Sequence, residues 1–186
     1  MTDIEFQPWP KIARLNRDIT ITEKIDGTNA AVLILDDGTV AAQSRNRIIT
    51  PDSDNFGFAR WAAENAPVLI DVLGPGRHFG EWWGAGIQRR YNLDHKRFSL
   101  FNTARYGDLD TLSLADGLGV VPVLYEGPFS EDAIHEALVD LATNGSRAAD
   151  GFMDPEGIVV FHAAAQQMFK VTIKDDEAPK SAARAA

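Results

Sequence analysis

Residues 19–35 read ITITEKIDGTNAAVLIL. The first four alternate β-branched apolar residues with threonine, the pattern of a strand with one buried face. Lys24 stands at the end of that run, just before Asp26 and Gly27, and 30–35 reads as a second strand. Asp36-Asp37-Gly38 then signals a hairpin into a third strand over 39–44. The chain is therefore expected to begin with antiparallel sheet. An ammonium group between two stretches of buried sheet needs a reason. Near low-dielectric walls and other cations the charged form of an amine is disfavoured, which leaves a nucleophile. Gly27 would let backbone come close to a ligand. The plainer alternative is a hairpin-loop lysine beside a turn glycine.

Farther along, 51–54 offers helix-start chemistry. Phe58, Trp61, Ala62, Val68, Leu69 and Val72 follow helical spacing, interrupted at Pro67 and ended by Gly74-Pro75-Gly76. Short strand-like runs follow at 77–83 and 98–103. Ser130, with Glu131 and Asp132 behind it, predicts the start of a second helix that Gly145 stops, with Ile134, Leu138 and Leu141 on one face. Two last strands are expected over 157–162 and 168–174. Without an interior linker or repeat, the pattern predicts one α+β domain over 1–175 and a short polar tail over 176–186.

Composition narrows the chemistry. The 186 residues are 45% hydrophobic and 24% charged, and no apolar run is long enough for a membrane span, so a cytoplasmic protein is expected. There is no cysteine, which excludes disulfides and thiol nucleophiles. The four histidines lack the spacing of a zinc site. A net charge of −9 argues against binding nucleic acid over the whole surface, but basic residues cluster at Arg45 and Arg47, at Arg89, Arg90, Lys96 and Arg97, and at Lys170 and Lys174. Converging in space, they would form a local phosphate-binding groove; singly, they are solvated surface charges.

Further segments carry polar groups where a core would exclude them. Glu81 lies inside the apolar run HFGEWWG (78–84), where a carboxylate needs a partner. Glu156 stands at the entrance of the buried run in EGIVVF (156–161), although Asp-Pro-Glu-Gly is also an ordinary turn. In FKVTIK (169–174), Lys170, Thr172 and Lys174 alternate with apolar residues and share one side.

Taken in order, EKIDGTN (23–29), SRNR (44–47), HFGEWWG, FSLFNT (98–103), EGIVVF and FKVTIK resemble motifs I to V of the lysine nucleotidyltransferases, the ATP-dependent RNA and DNA ligases and mRNA-capping enzymes. Asn29, in a motif I that ends Gly-Thr-Asn, is similar to the Rnl2-like RNA ligases, whereas DNA ligases usually carry arginine there. The resemblance implies an ATP-grasp-like, DNA-ligase-type nucleotidyltransferase fold, with antiparallel sheets flanked by helices and the nucleotide between two sheets.

It also implies roles. Lys24 would be adenylylated by ATP with Mg2+ or Mn2+, and Lys170 and Lys174 would serve the α-phosphate; Thr172 breaks the family's lysine spacing and leaves open which of the two acts. Glu23, Ile25, Asn29, Arg45, Glu81 and Phe101 would line the nucleotide, with Phe101 rather than Phe98 stacking on adenine. Glu156 and Glu81 would serve the metal, and Arg47 and Asn29 the nucleic-acid phosphate. The expected partner is RNA, including nicked duplex or RNA/DNA hybrid. The tail is too short for the C-terminal OB or helical domain common in such ligases, so a separate nucleic-acid-binding partner is one way to supply the grip. The rival readings are a minimal DNA ligase and a nucleotide-binding module without turnover.

Overall fold

The computed structural model describes residues 4–107, 117–174 and 176. In chain order its elements are β1 (Asp18–Lys24), β2 (Thr28–Ile34), β3 (Val40–Ser44), β4 (Ile48–Ile49), α1 (Phe58–Glu64), α2 (Ala66–Leu73), β5 (Gly76–Gly84), β6 (Lys96–Leu100), α3 (Thr103–Tyr106), β7 (Leu118–Val120), β8 (Val123–Pro128), α4 (Glu131–Asn144), β9 (Gly157–His162) and β10 (Gln167–Thr172).

The alternation at 19–22 does become a strand. In β1, Ile19, Ile21 and Glu23 are buried, while Thr20, Thr22 and Lys24 take the other side. β1 and β2 do not pair, however. β1 lies in a four-stranded antiparallel sheet of order β10-β9-β1-β8, and β2 in a six-stranded sheet of order β4-β3-β2-β5-β6-β7. Within the larger sheet only β6 and β7 run parallel. Ile25-Asp26-Gly27 is therefore the crossing from one sheet to the other and not a hairpin turn. Period-two alternation tells which face of a strand is buried but not which strand lies beside it.

Each sheet has its own helical cover. Phe58, Ala59 and Ala62 of α1 and Leu69 and Leu73 of α2 pack on the six-stranded sheet through Val32, Trp82, Phe98 and Leu100. Ala133, Ala137 and Leu141 of α4 close over Ile19, Ile21, Ile158 and Val160 of the smaller sheet, with the predicted Ile134 and Leu138 only partly buried beside them. A third cluster of Ile25, Trp83, Tyr91, Val121, Ala149 and Phe152 fills the seam where the chain crosses over.

Local signals act as the sequence suggests. Asp54 accepts from the amides of Ala59 and Arg60 at the start of α1. Pro67 sits in the first turn of α2, so the predicted interruption is a boundary between two helices. Ser130 caps α4 by accepting from the Ala133 amide at 3.1 Å, and Gly145 ends it.

Two expectations need correction. The run 98–103 is a strand only to Leu100, because Asn102 accepts from the Arg105 amide and starts α3. The last strand ends at Thr172, which leaves Lys174 beyond it. Of the tail expected over 176–186, only Asp176 is among the described residues, accepting from the Thr172 amide at 2.8 Å. No helix among the described residues is long and apolar enough to cross a membrane.

Candidate active site

The seam gathers Lys24 and Asp26 with Glu81 and Glu156. Lys24 ends β1 opposite Gly157 of β9, and Gly157 in turn faces Thr172 of β10. Its Nζ lies 2.5 Å from Glu156 Oε2, with both side chains largely shielded from solvent. Gly27 rests against β5: a Cβ there would lie 2.5 Å from the Trp82 carbonyl oxygen and 2.7 Å from Trp83 Cβ. The glycine serves the close approach of the crossing to the larger sheet.

Glu81, projecting from β5 and only 8% exposed, finds partners for both oxygens. Oε1 accepts from the Gly27 amide and Oε2 from Asn29 Nδ2, each at 3.1 Å. Burial pushes its carboxyl up to about 7; the Lys24 charge and the Gly27 amide oppose that shift, and Glu156 and Asp26 add to it. Asp26 is raised by burial and by Glu156, against the pull of Arg89 and Lys24. One ammonium thus stands in the field of three carboxyl groups supplied by the crossing, by β5 and by the entrance to β9.

The other sequence-predicted residues divide. Lys170 lies on the face of the small sheet that carries Lys24, since Lys24 opposes Gly157, Thr172 opposes Gly157, and Lys170 is two residues from Thr172 on β10. Lys174 instead reaches Asp154, at 2.7 Å. Phe98 is fully buried against Phe58 and belongs to the core. Phe101 is part-exposed and, with its amide bonded to the Phe79 carbonyl, continues the β5–β6 register on the side of Glu81 and Ser99. Phe79, half exposed beside it, is a second aromatic on that side that sequence reasoning passed over.

Glu23 turns away from Lys24: its carboxylate accepts from Ser146 Oγ and from the amides of Arg147 and Ala148, at 2.6, 2.7 and 3.0 Å. Those bonds hold the loop after α4 to β1. Ile25 buries its side chain in the seam cluster. Arg45 is exposed in the β3–β4 turn, whereas Arg47 folds back to donate to Ser53 Oγ at 2.7 Å. The structure thus brings Lys24 against Glu156 and Asn29 against Glu81, on either side of the crossing, and leaves the side chains of Glu23, Ile25 and Arg47 engaged elsewhere.

Sequence reading also missed a network. Arg89 Nε donates to Asp26 Oδ2 at 3.0 Å and its Nη1 to Asp154 Oδ2 at 2.6 Å, and Tyr91 Oη accepts from the Asp26 amide at 2.8 Å. Arg89 was visible only as one of a basic cluster, and Asp154 only as part of a turn. Among the described residues no group of three or more His, Asp or Glu side chains is placed to hold a metal ion.

The model of the family described as RNA ligase matches residues 17–172, which takes in nearly every element of this site. The chain belongs to the RNA ligase family. No curated protein matches it. Among solved structures, a Naegleria gruberi RNA ligase variant with ATP and Mn superposes with a TM-score of 0.63 at 18% identity, covering 86% of this chain and 51% of that one. The Naegleria gruberi ligase with pyrophosphate gives 0.60 at 19% identity, covering 84% and 50%, and a variant with AMP and Mn gives 0.59 at 18%, covering 85% and 50%. The chain spans about half the length of these ligases. At such identities the likeness shows the fold, two largely antiparallel sheets with few helices, which is that of the RNA ligase nucleotidyltransferase.

Proposed function

We propose that this member of the RNA ligase family is an ATP-dependent ligase of the Rnl2-like group, which becomes adenylylated on Lys24 and uses that AMP to join RNA ends. The observation that carries the reading is the placement of Lys24, a strand-end amine in a shielded seam with its Nζ against Glu156. Holding the pair in that seam costs desolvation that a structural lysine at the surface would avoid.

In the first step the amine of Lys24, having passed a proton to solvent or to Glu156, attacks the α-phosphorus of ATP. A phosphorus–nitrogen bond forms, the bond to the bridging oxygen breaks, and pyrophosphate leaves. Next an oxygen of a nucleic-acid 5′-phosphate attacks the same phosphorus, breaking the phosphorus–nitrogen bond and returning Lys24 to an amine. A 3′-hydroxyl then attacks the activated 5′-phosphate and AMP departs. Of the cations named in the motifs, Lys170 and Arg45 are left to meet phosphate, Lys170 from the face that carries Lys24 and Arg45 from an exposed turn. Glu81, held by Gly27 and Asn29, faces the nucleotide beside Phe101 and Phe79.

With no protein cage among the described residues, a divalent cation here would rely on phosphate oxygens and one or two carboxylates, Glu156 first, as suits a hard ion such as Mg2+ or Mn2+. When bound, it would neutralise charge on the phosphates. The reading is tested by joining a 5′-phosphorylated strand across a nick to a 3′-OH end of RNA or of DNA, with Lys24→Ala as control. Lys24-dependent sealing that prefers the RNA 3′-OH is expected. Equal or better sealing from the DNA end would make the chain a DNA ligase instead.

A further inference from the structure

Between β5 and β6 the chain makes a turn that L-residues avoid. Gln88, Arg90, Tyr91 and Asn92 all have positive φ, of 41°, 63°, 50° and 57°, and none is glycine. Each crowds its Cβ against a carbonyl oxygen. Such a run persists only where the surroundings over-determine it.

Two side chains of this turn supply that determination, and both reach the candidate site. Tyr91 is fully buried, edge-on to Trp83 at 4.9 Å and packed on Phe152 at 4.4 Å, and its hydroxyl accepts from the Asp26 amide. Arg89 joins the Asp26 carboxylate, two residues from Lys24, to the Asp154 carboxylate and carbonyl, two residues from Glu156. Lys174 takes the remaining oxygen of Asp154, which ties in the end of β10. One guanidinium from the larger sheet's loop therefore fastens the segments that carry Lys24 and Glu156, which leave the smaller sheet separately.

The geometry points to Arg89 as a positioning residue: held out from a turn whose other residues, 88 and 90–92, have positive φ while its own backbone is right-handed, it sets the alignment of Lys24 and Glu156 for adenylyl transfer. This rests on the function proposed above. Arg89 touches neither Lys24 nor Glu156 and acts through Asp26 and Asp154. Its fork bridges two carboxylates at once, which a lysine would not reproduce.

The test pairs amide hydrogen exchange with single-turnover AMP uptake in Arg89→Ala, Arg89→Lys and Asp154→Asn. In Arg89→Ala the amides of 25–27 and those of Asp154, Glu156 and Gly157 should together lose protection by about tenfold or more, with those of β2 and β5 unchanged. The rate at saturating ATP should fall by roughly 100-fold, as misplacement by an ångström does, while the half-saturating ATP concentration moves by less than about threefold. Asp154→Asn should show the same pattern more weakly, and Arg89→Lys should restore only part of the rate. Unchanged protection in either segment, wild-type uptake by Arg89→Ala, or protection lost equally in β2 and β5 would overturn the assignment. Should the wild-type protein take up no AMP, the proposed function fails, and the exchange pattern alone still decides whether Arg89 couples the two segments.

Discussion

Glu81 is a carboxyl group that the fold holds at a cost. Its ordinary value is 4.5 and burial pushes it up to about 7, so between those values the folded chain keeps a proton that the unfolded chain releases. Its contribution to stability is complete below 4.5 and is lost as pH rises through 7, at no more than about 1.4 kcal/mol per pH unit. The stability of Glu81→Gln relative to wild type should therefore rise between pH 5 and pH 8. Thermal melts without nucleotide or metal will show this, and a constant difference across that range would refute it. Gly27 makes the complementary case. An added methyl meets the Trp82 carbonyl, so Gly27→Ala should destabilise by about 1–3 kcal/mol and displace the crossing that follows Lys24. Urea melts alongside AMP uptake should show both losses; a variant equal to wild type in both would mean that the crossing does not need a glycine to approach β5. The family resemblance gave Glu81 a role, but its partners were not legible, because Gly27 and Asn29 come from a segment that local sequence does not place beside β5.

At the scale of elements, helix ends were the most legible features, because caps are local chemistry. Ser130, the acidic pair after it and Gly145 delimit α4 as the sequence suggests. Ser130→Ala should cost about 1 kcal/mol, readable in a urea melt, and Ser130→Asp should cost less because its carboxylate still caps. Strand partnership was not legible: the hairpin of β2 and β3 follows from Asp37-Gly38, but nothing between Lys24 and Thr28 says that the chain changes sheets. β7 and β8 were missed altogether. One is three residues long, and Pro122 and Pro128 punctuate the other. The positive-φ turn around Arg89 could not be read because no glycine marks it; what holds it lies outside the segment, in Trp83 and Phe152 against Tyr91 and in Asp26 and Asp154 against Arg89.

For the molecule as a whole, the site is a product of the two-sheet arrangement. Lys24 comes from the small sheet, Glu81 from the large one, and Ile25-Asp26-Gly27 joins them, so no half of the fold contains the site. The ordered motifs made the family visible along the sequence, and the match over 17–172 covers both sheets. In the proposed function, the acidic net charge of −9 concentrates the task of meeting RNA on a few cations, which local sequence cannot gather by itself. Everything proposed for the chemistry depends on whether Lys24 becomes covalently loaded. The direct measurement is intact-protein mass after incubation with ATP and Mg2+ or Mn2+, for wild type and Lys24→Ala. An AMP-sized gain in the wild type that is absent from Lys24→Ala is the predicted result. No gain with either metal, or a gain that survives in Lys24→Ala, would contradict it.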